Sequence, residues 1–131
     1  MSRSSRKWKS LLALLPAVLM VSACSTGVEV VTVDSLTGTT RPKKVKVKKD
    51  VEIVVWVASR VNGTDPKLHI DFGSDSPFPE LVTCKGGRFC FALVPPNKQT
   101  SSDGDNIFEY TGTVTVNGQP RPLDPRVEVE H

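Results

Sequence analysis

Val51-Glu52-Ile53-Val54-Val55-Trp56-Val57-Ala58 is the densest β-forming run in the chain. Every residue but Glu52 is apolar, and five are β-branched, the side-chain type that packs best on a pleated surface. Lys49-Asp50 precedes the run and Asn62-Gly63 follows it, both turn signals. An apolar stretch this short between turns is a strand rather than a helix. Its unbroken centre predicts burial on both faces or a place in mid-sheet. Trp56 is expected to anchor the core.

The flanking segments follow the same logic. Residues 28–34, Val-Glu-Val-Val-Thr-Val-Asp, are β-branched and alternate at their start. Residues 68–72, Leu-His-Ile-Asp-Phe, put Leu68, Ile70 and Phe72 on one face and His69 with Asp71 on the other. Residues 74–80 carry two prolines around Phe78 and should be irregular. Residues 97–106 hold no apolar side chain and predict a mobile polar loop. Residues 107–116 read as one long strand closed by the turn pair Asn117-Gly118. Pro120, Pro122 and Pro125 punctuate the exit, and residues 127–129 form a last short strand. About seven short strands and no helical period indicate an all-β fold, a single β-sandwich.

Residues 41–49 contain six basic side chains, with Val45 and Val47 alternating against Lys44, Lys46 and Lys48. Such a strand buries its valines and turns its lysines to water. The lysines protect a sheet edge from unwanted pairing, or they face anionic lipid or an anionic envelope polymer.

Three cysteines divide into one near the N-terminus and a pair, Cys84 and Cys90, around Lys85-Gly86-Gly87-Arg88-Phe89. This looks like a hairpin tip. A Gly-Gly turn of two residues would leave the cysteines on opposite faces. A three- or five-residue loop sets them directly across from each other, as a disulfide requires. A disulfide Cys84–Cys90 is therefore expected if the chain reaches an oxidising compartment.

The N-terminus supplies that destination. Arg3, Arg6, Lys7 and Lys9 precede an apolar run over residues 11–21, which ends in Leu19-Met20-Val21-Ser22-Ala23-Cys24. A basic flank, a short apolar core and a small-residue exit make a secretory signal, too short to span a bilayer. The last six residues resemble the lipobox of bacterial lipoproteins. That resemblance implies signal cleavage between Ala23 and Cys24, and a diacylglycerol plus an amide-linked acyl chain on Cys24. Two such attachments hold lastingly where one chain holds marginally. The expected organisation is a signal peptide over 1–23, a lipid-anchored linker over 24–27 and the sandwich over 28–131. Ser25, not Asp, follows the cysteine, similar to lipoproteins sorted to the outer membrane; another envelope membrane is the alternative. The signal removes four of the 17 basic residues against 14 acids. The remainder is close to neutral, which leaves nucleic-acid binding without electrostatic footing.

The succession Lys46-Val47-Lys48-Lys49-Asp50-Val51-Glu52-Ile53-Val54-Val55-Trp56, Leu68 to Phe72, and Phe108-Glu109-Tyr110-Thr111-Gly112-Thr113-Val114-Thr115-Val116 resembles a cupredoxin-like domain. The end Leu123-Asp124-Pro125-Arg126-Val127-Glu128-Val129 is similar to that of uncharacterised bacterial relatives of that fold. A blue-copper site needs two His, a Cys and a weak axial ligand. Here Met1 and Met20 lie in the signal, and Tyr110 runs into Thr111-Gly112-Thr113 without Cys, His or Met. Leu68, not His69, stands four residues before Phe72. The resemblance thus implies the fold without its copper or any other cofactor.

Other chemistry is sparse. His69 with Asp71 is a surface pair at most, His131 is terminal, and Asp103-Gly104-Asp105-Asn106 lacks the rest of an EF-hand loop. No nucleophile, phosphate loop or zinc spacing is recognisable. The expectation is a non-enzymatic envelope lipoprotein, held in the bilayer through acylated Cys24 and facing the periplasm. It would bind an envelope protein or polymer through an exposed apolar patch or a loop cluster. The alternative is a copper-handling protein using His69, His131 or acidic loops.

Overall fold

The structure is a computed structural model and describes residues 27–131. The signal, the Ala23–Cys24 junction and the anchored Cys24 lie outside the described residues. The described chain is all-β, with eleven strands. They are β1 (Val28–Val33), β2 (Thr40–Arg41), β3 (Lys44–Lys48), β4 (Ile53–Ala58), β5 (Lys67–Asp71), β6 (Thr83–Cys84), β7 (Phe89–Ala92), β8 (Ile107–Glu109), β9 (Thr111–Val116), β10 (Gln119–Pro122) and β11 (Arg126–Glu130). A five-stranded sheet, in the order β2-β1-β4-β7-β6, faces two three-stranded sheets, β10-β9-β5 and β3-β11-β8. The core lies between them as one cluster, giving a sandwich-like fold. Strand β4 sits in mid-sheet, parallel to β1 and antiparallel to β7. A second parallel pair joins β3 to β11.

The strand count exceeds seven because short pieces separate. The run 107–116 is divided at Tyr110. Its first part, β8, pairs with β11 (Val127 opposite Phe108), and its second, β9, pairs with β5 (Leu68 opposite Val114). Phe108, Tyr110, Gly112 and Val114 all stay buried through the break. At Gly112 an added Cβ would lie 2.8 Å from the His69 carbonyl oxygen, so only glycine lets β9 come this close to β5. The prolines of the exit form β10, an edge strand. Pro120 and Pro122 are two residues apart, so both missing donors fall on the side without a neighbour. Asn117 and Gly118, with φ of 51° and 77°, make the two-residue turn into it.

Cys84 stands opposite Cys90 in the β6–β7 ladder and forms the disulfide, with Cα atoms 4.4 Å apart. Closing so short a loop stabilises the fold by about 2 kcal/mol in the chain-entropy treatment. The hairpin tip also reaches the other layer: Leu68 N–H donates to the Gly87 carbonyl at 2.8 Å.

The centre of the core is aromatic. Trp56 is fully buried, and its indole N–H donates to the Tyr110 hydroxyl at 2.5 Å. Phe72 and Phe78 pack edge-on against the Trp56 ring, with centroids 6.2 and 6.5 Å away, and Tyr110 does so at 5.4 Å. Such pairs add to burial itself. Burial raises the Tyr110 phenol well above its ordinary pKa, against the opposing effect of the Trp56 bond. Tyr110→Phe leaves a buried indole donor unpaired. It should lower unfolding free energy by about 1–3 kcal/mol, read as a reduced urea midpoint with an unchanged slope. An unchanged midpoint would show that the bond contributes nothing.

Candidate interaction face

Alternation along β1, β4 and β7 sends Val31, Val33, Val54, Trp56, Ala58, Cys90 and Ala92 inward, all buried. The intervening residues form the outer face of the five-stranded sheet. Register aligns them in rows: Val28 beside Ile53, Val30 beside Val55 and Phe91, Thr32 beside Val57 and Phe89. Leu93 continues the alternation one residue past β7. Val28 and Val30 are each 50% exposed, Phe89 40% and Leu93 61%. Ile53, Val55, Val57 and Phe91 are only half-buried, and among the described residues no strand packs over this side of the sheet. Phe89 and Phe91 stack at 6.2 Å with ring planes 12° apart.

The row residues at the margins are Thr83, beside Phe91, and Arg41, beside Thr32. Arg88 lies at the hairpin end of the face. Its Cζ sits 4.9 Å from the centroid of the Phe89 ring, and its Nε–H donates to the Ala58 carbonyl at 2.9 Å. No carboxylate occupies an outward position of β1, β4 or β7. A contiguous apolar patch rimmed by polar groups marks a contact site.

The chain matches no protein-family model and no curated protein.

His69 and Asp71 do share the exposed side of β5, as the alternation predicts. They border a cavity of about 190 Å³ that Leu81 and Val82 also line. Asp71 Oδ1 accepts the Gly73 N–H at 2.7 Å, so that carboxylate oxygen already has a partner. His131 is exposed beyond β11. Among the described residues no three His, Cys, Asp or Glu side chains converge as a metal-binding set.

The acidic loop is tied down locally. Ser101 is buried, its hydroxyl donates to Asp105 Oδ1 at 2.8 Å, and Ile107 N–H donates to the same oxygen at 3.0 Å. These two bonds hold the Asp105 carboxyl below its ordinary pKa. Ser102 donates to the Asp75 carboxylate through both N–H and hydroxyl. The segment expected to be a mobile polar loop is thus a bonded turn, because its serines and aspartates satisfy each other.

The lysine strand β3 is a sheet edge. Lys44 and Lys46 reach Glu128 of β11 at 3.2 and 3.9 Å, and Arg126 reaches Glu109 at 3.5 Å. Lys43, Lys44, Asp124 and Arg126 surround a cavity of about 280 Å³. Partial neutralisation by these acids favours edge protection over recognition of an anionic polymer.

Near the start of β1, Glu29 lies on the inner row beside Glu52. Burial, then a hydrogen bond and charge repulsion from Glu52, raise the Glu29 pKa. The folded state thus binds this proton more tightly than the unfolded chain. The contribution is present in full below the unfolded value and is lost as pH rises through the raised folded one. Glu29→Gln keeps a donor toward Glu52 and removes the charge. Its urea midpoint should exceed that of the parent chain at pH 7, and the gap should close toward roughly pH 4. A lower midpoint for the variant at every pH would contradict the assignment.

Proposed function

We propose that this chain is a bacterial envelope lipoprotein, anchored through acyl groups on Cys24, whose sandwich works by contact and not by catalysis. The sequence Leu19 to Cys24 supports the anchor, and one structural observation supports the mode of action. Among the described residues an apolar face built from β1, β4 and β7 is left uncovered, while β3, β5 and β11 turn charged side chains to solvent. Seven apolar side chains in register, with Leu93 one residue past β7, are a surface suited to burial. The outer membrane, periplasmic side, is the expected location.

Cys24→Ser tests the anchor. The parent chain should fractionate with membranes and show the mass of an acylated Cys24 N-terminus. The variant should lose both and appear soluble or uncleaved, while the fold beginning at Gly27 persists by circular dichroism. An unmodified parent N-terminus, or normal membrane fractionation of the variant, would refute the reading.

A further inference from the structure

We infer that the uncovered face lies against the bilayer to which the chain is anchored, so that β1, β4 and β7 rest on an anionic lipid surface. This rests on acylation of Cys24, and adds a second, non-covalent contact.

Three observations on the face name its occupant. First, it begins where the anchor ends. Only Ser25, Thr26 and Gly27 separate Cys24 from Val28. Four peptide steps span at most ~14 Å, so Val28 stays within that distance of an acylated Cys24 and close to the interfacial zone. Second, the face is apolar at its centre and basic at its margins. Arg41 is in the outward row beside Thr32, and Arg88 covers the Phe89 ring. Arginines around an apolar patch suit acyl chains below and lipid phosphates at the rim. Third, charge disfavours a second copy. A two-fold dimer through this face would meet the same two arginines with no outward carboxylate on β1, β4 or β7 to answer them. An anionic bilayer answers both.

The geometry also fits. The strands of the face are fully paired at its centre, where β4 is flanked by β1 and β7. A lipid-facing side of such a sheet exposes no unmet backbone groups there, as an interface demands. The charged pairs Lys44–Glu128 and Arg126–Glu109 belong to the sheet of β3, β11 and β8, in the opposite layer. Docking by the apolar face leaves them in water.

The test uses the full acylated chain, purified from membranes and reconstituted in phosphatidylethanolamine–phosphatidylglycerol vesicles with brominated acyl chains. Bimane is attached at Val30→Cys, at Leu93→Cys, or at Lys46→Cys in the opposite layer. All three positions are at least half exposed, so the labels do not disturb the core. Intact mass first establishes acylation of Cys24. Bimane at Val30 and Leu93 should then lose emission to the brominated chains, while the Lys46 label keeps it. The loss should shrink when phosphatidylcholine replaces phosphatidylglycerol. Acylated protein with no quenching at Val30 or Leu93 overturns the docking and leaves the anchor standing. Unquenched Val30 that instead crosslinks to a second copy overturns it in favour of a dimer. Quenching indifferent to phosphatidylglycerol overturns the role given to the arginines. An unacylated Cys24 removes the anchor and the docking together.

Discussion

The indole of Trp56 and the hydroxyl of Tyr110 hold the two layers of this sandwich in register. Trp56 belongs to β4, the middle strand of the five-stranded sheet, and Tyr110 marks the corner where the chain passes from β8 to β9. A buried polar pair of this kind has one good geometry, because either group alone would be left unsatisfied in an apolar core. Phe72 and Phe78 close around it. With Trp56 fixed inward, every other residue of β4 is fixed too: Val54 and Ala58 go in, and Ile53, Val55 and Val57 go out. A slip of one residue would bury the wrong row and expose the indole.

The outward row is therefore a consequence of the inward one, and its apolar character needs a separate cause. Strands β3 and β11 turn charge to solvent: β3 alternates valine with lysine, and β11 sets Glu128 against two of those lysines. On β1, β4 and β7 the outward positions are valine, isoleucine and phenylalanine, with Thr32 the one polar residue among them. None of these outward side chains belongs to the buried core cluster. The two exteriors thus differ in kind, one charged and one apolar, and the proposed membrane contact accounts for that difference. Under the proposed acylation, Cys24, four residues before Val28 in the sequence, would put the covalent anchor next to the apolar side.

Much of the fold was legible. Alternation located β1, β3 and β5, the β-branched run located β4, and a hairpin loop of three or five residues between Cys84 and Cys90 placed them for a cross-strand disulfide. Asn117-Gly118 announced its turn. What alternation cannot show is which neighbour a strand has. Phe108, Tyr110, Gly112 and Val114 keep one inward rhythm while the chain changes sheets at Tyr110, so the sequence read as a single strand. Phe78 was hidden for a different reason: an aromatic between prolines has no period, yet it reaches the core through an irregular segment. The prolines of β10 looked like breakers because edge position, which excuses them, is a property of the whole sheet. The candidate face was half legible. The unbroken run at β4 announced two apolar sides; that β4 lies in mid-sheet with its second side bare depends on what the rest of the chain covers.

Oxidative footprinting in native membranes tests the central claim, that the outer face of β1, β4 and β7 is covered where the protein works. The pair to watch is Phe89 and Phe91, stacked on that face. The account predicts that hydroxyl radicals modify both rings in the detached Cys24→Ser chain and leave them protected in the membrane-bound parent. Equal modification in the two states would contradict it.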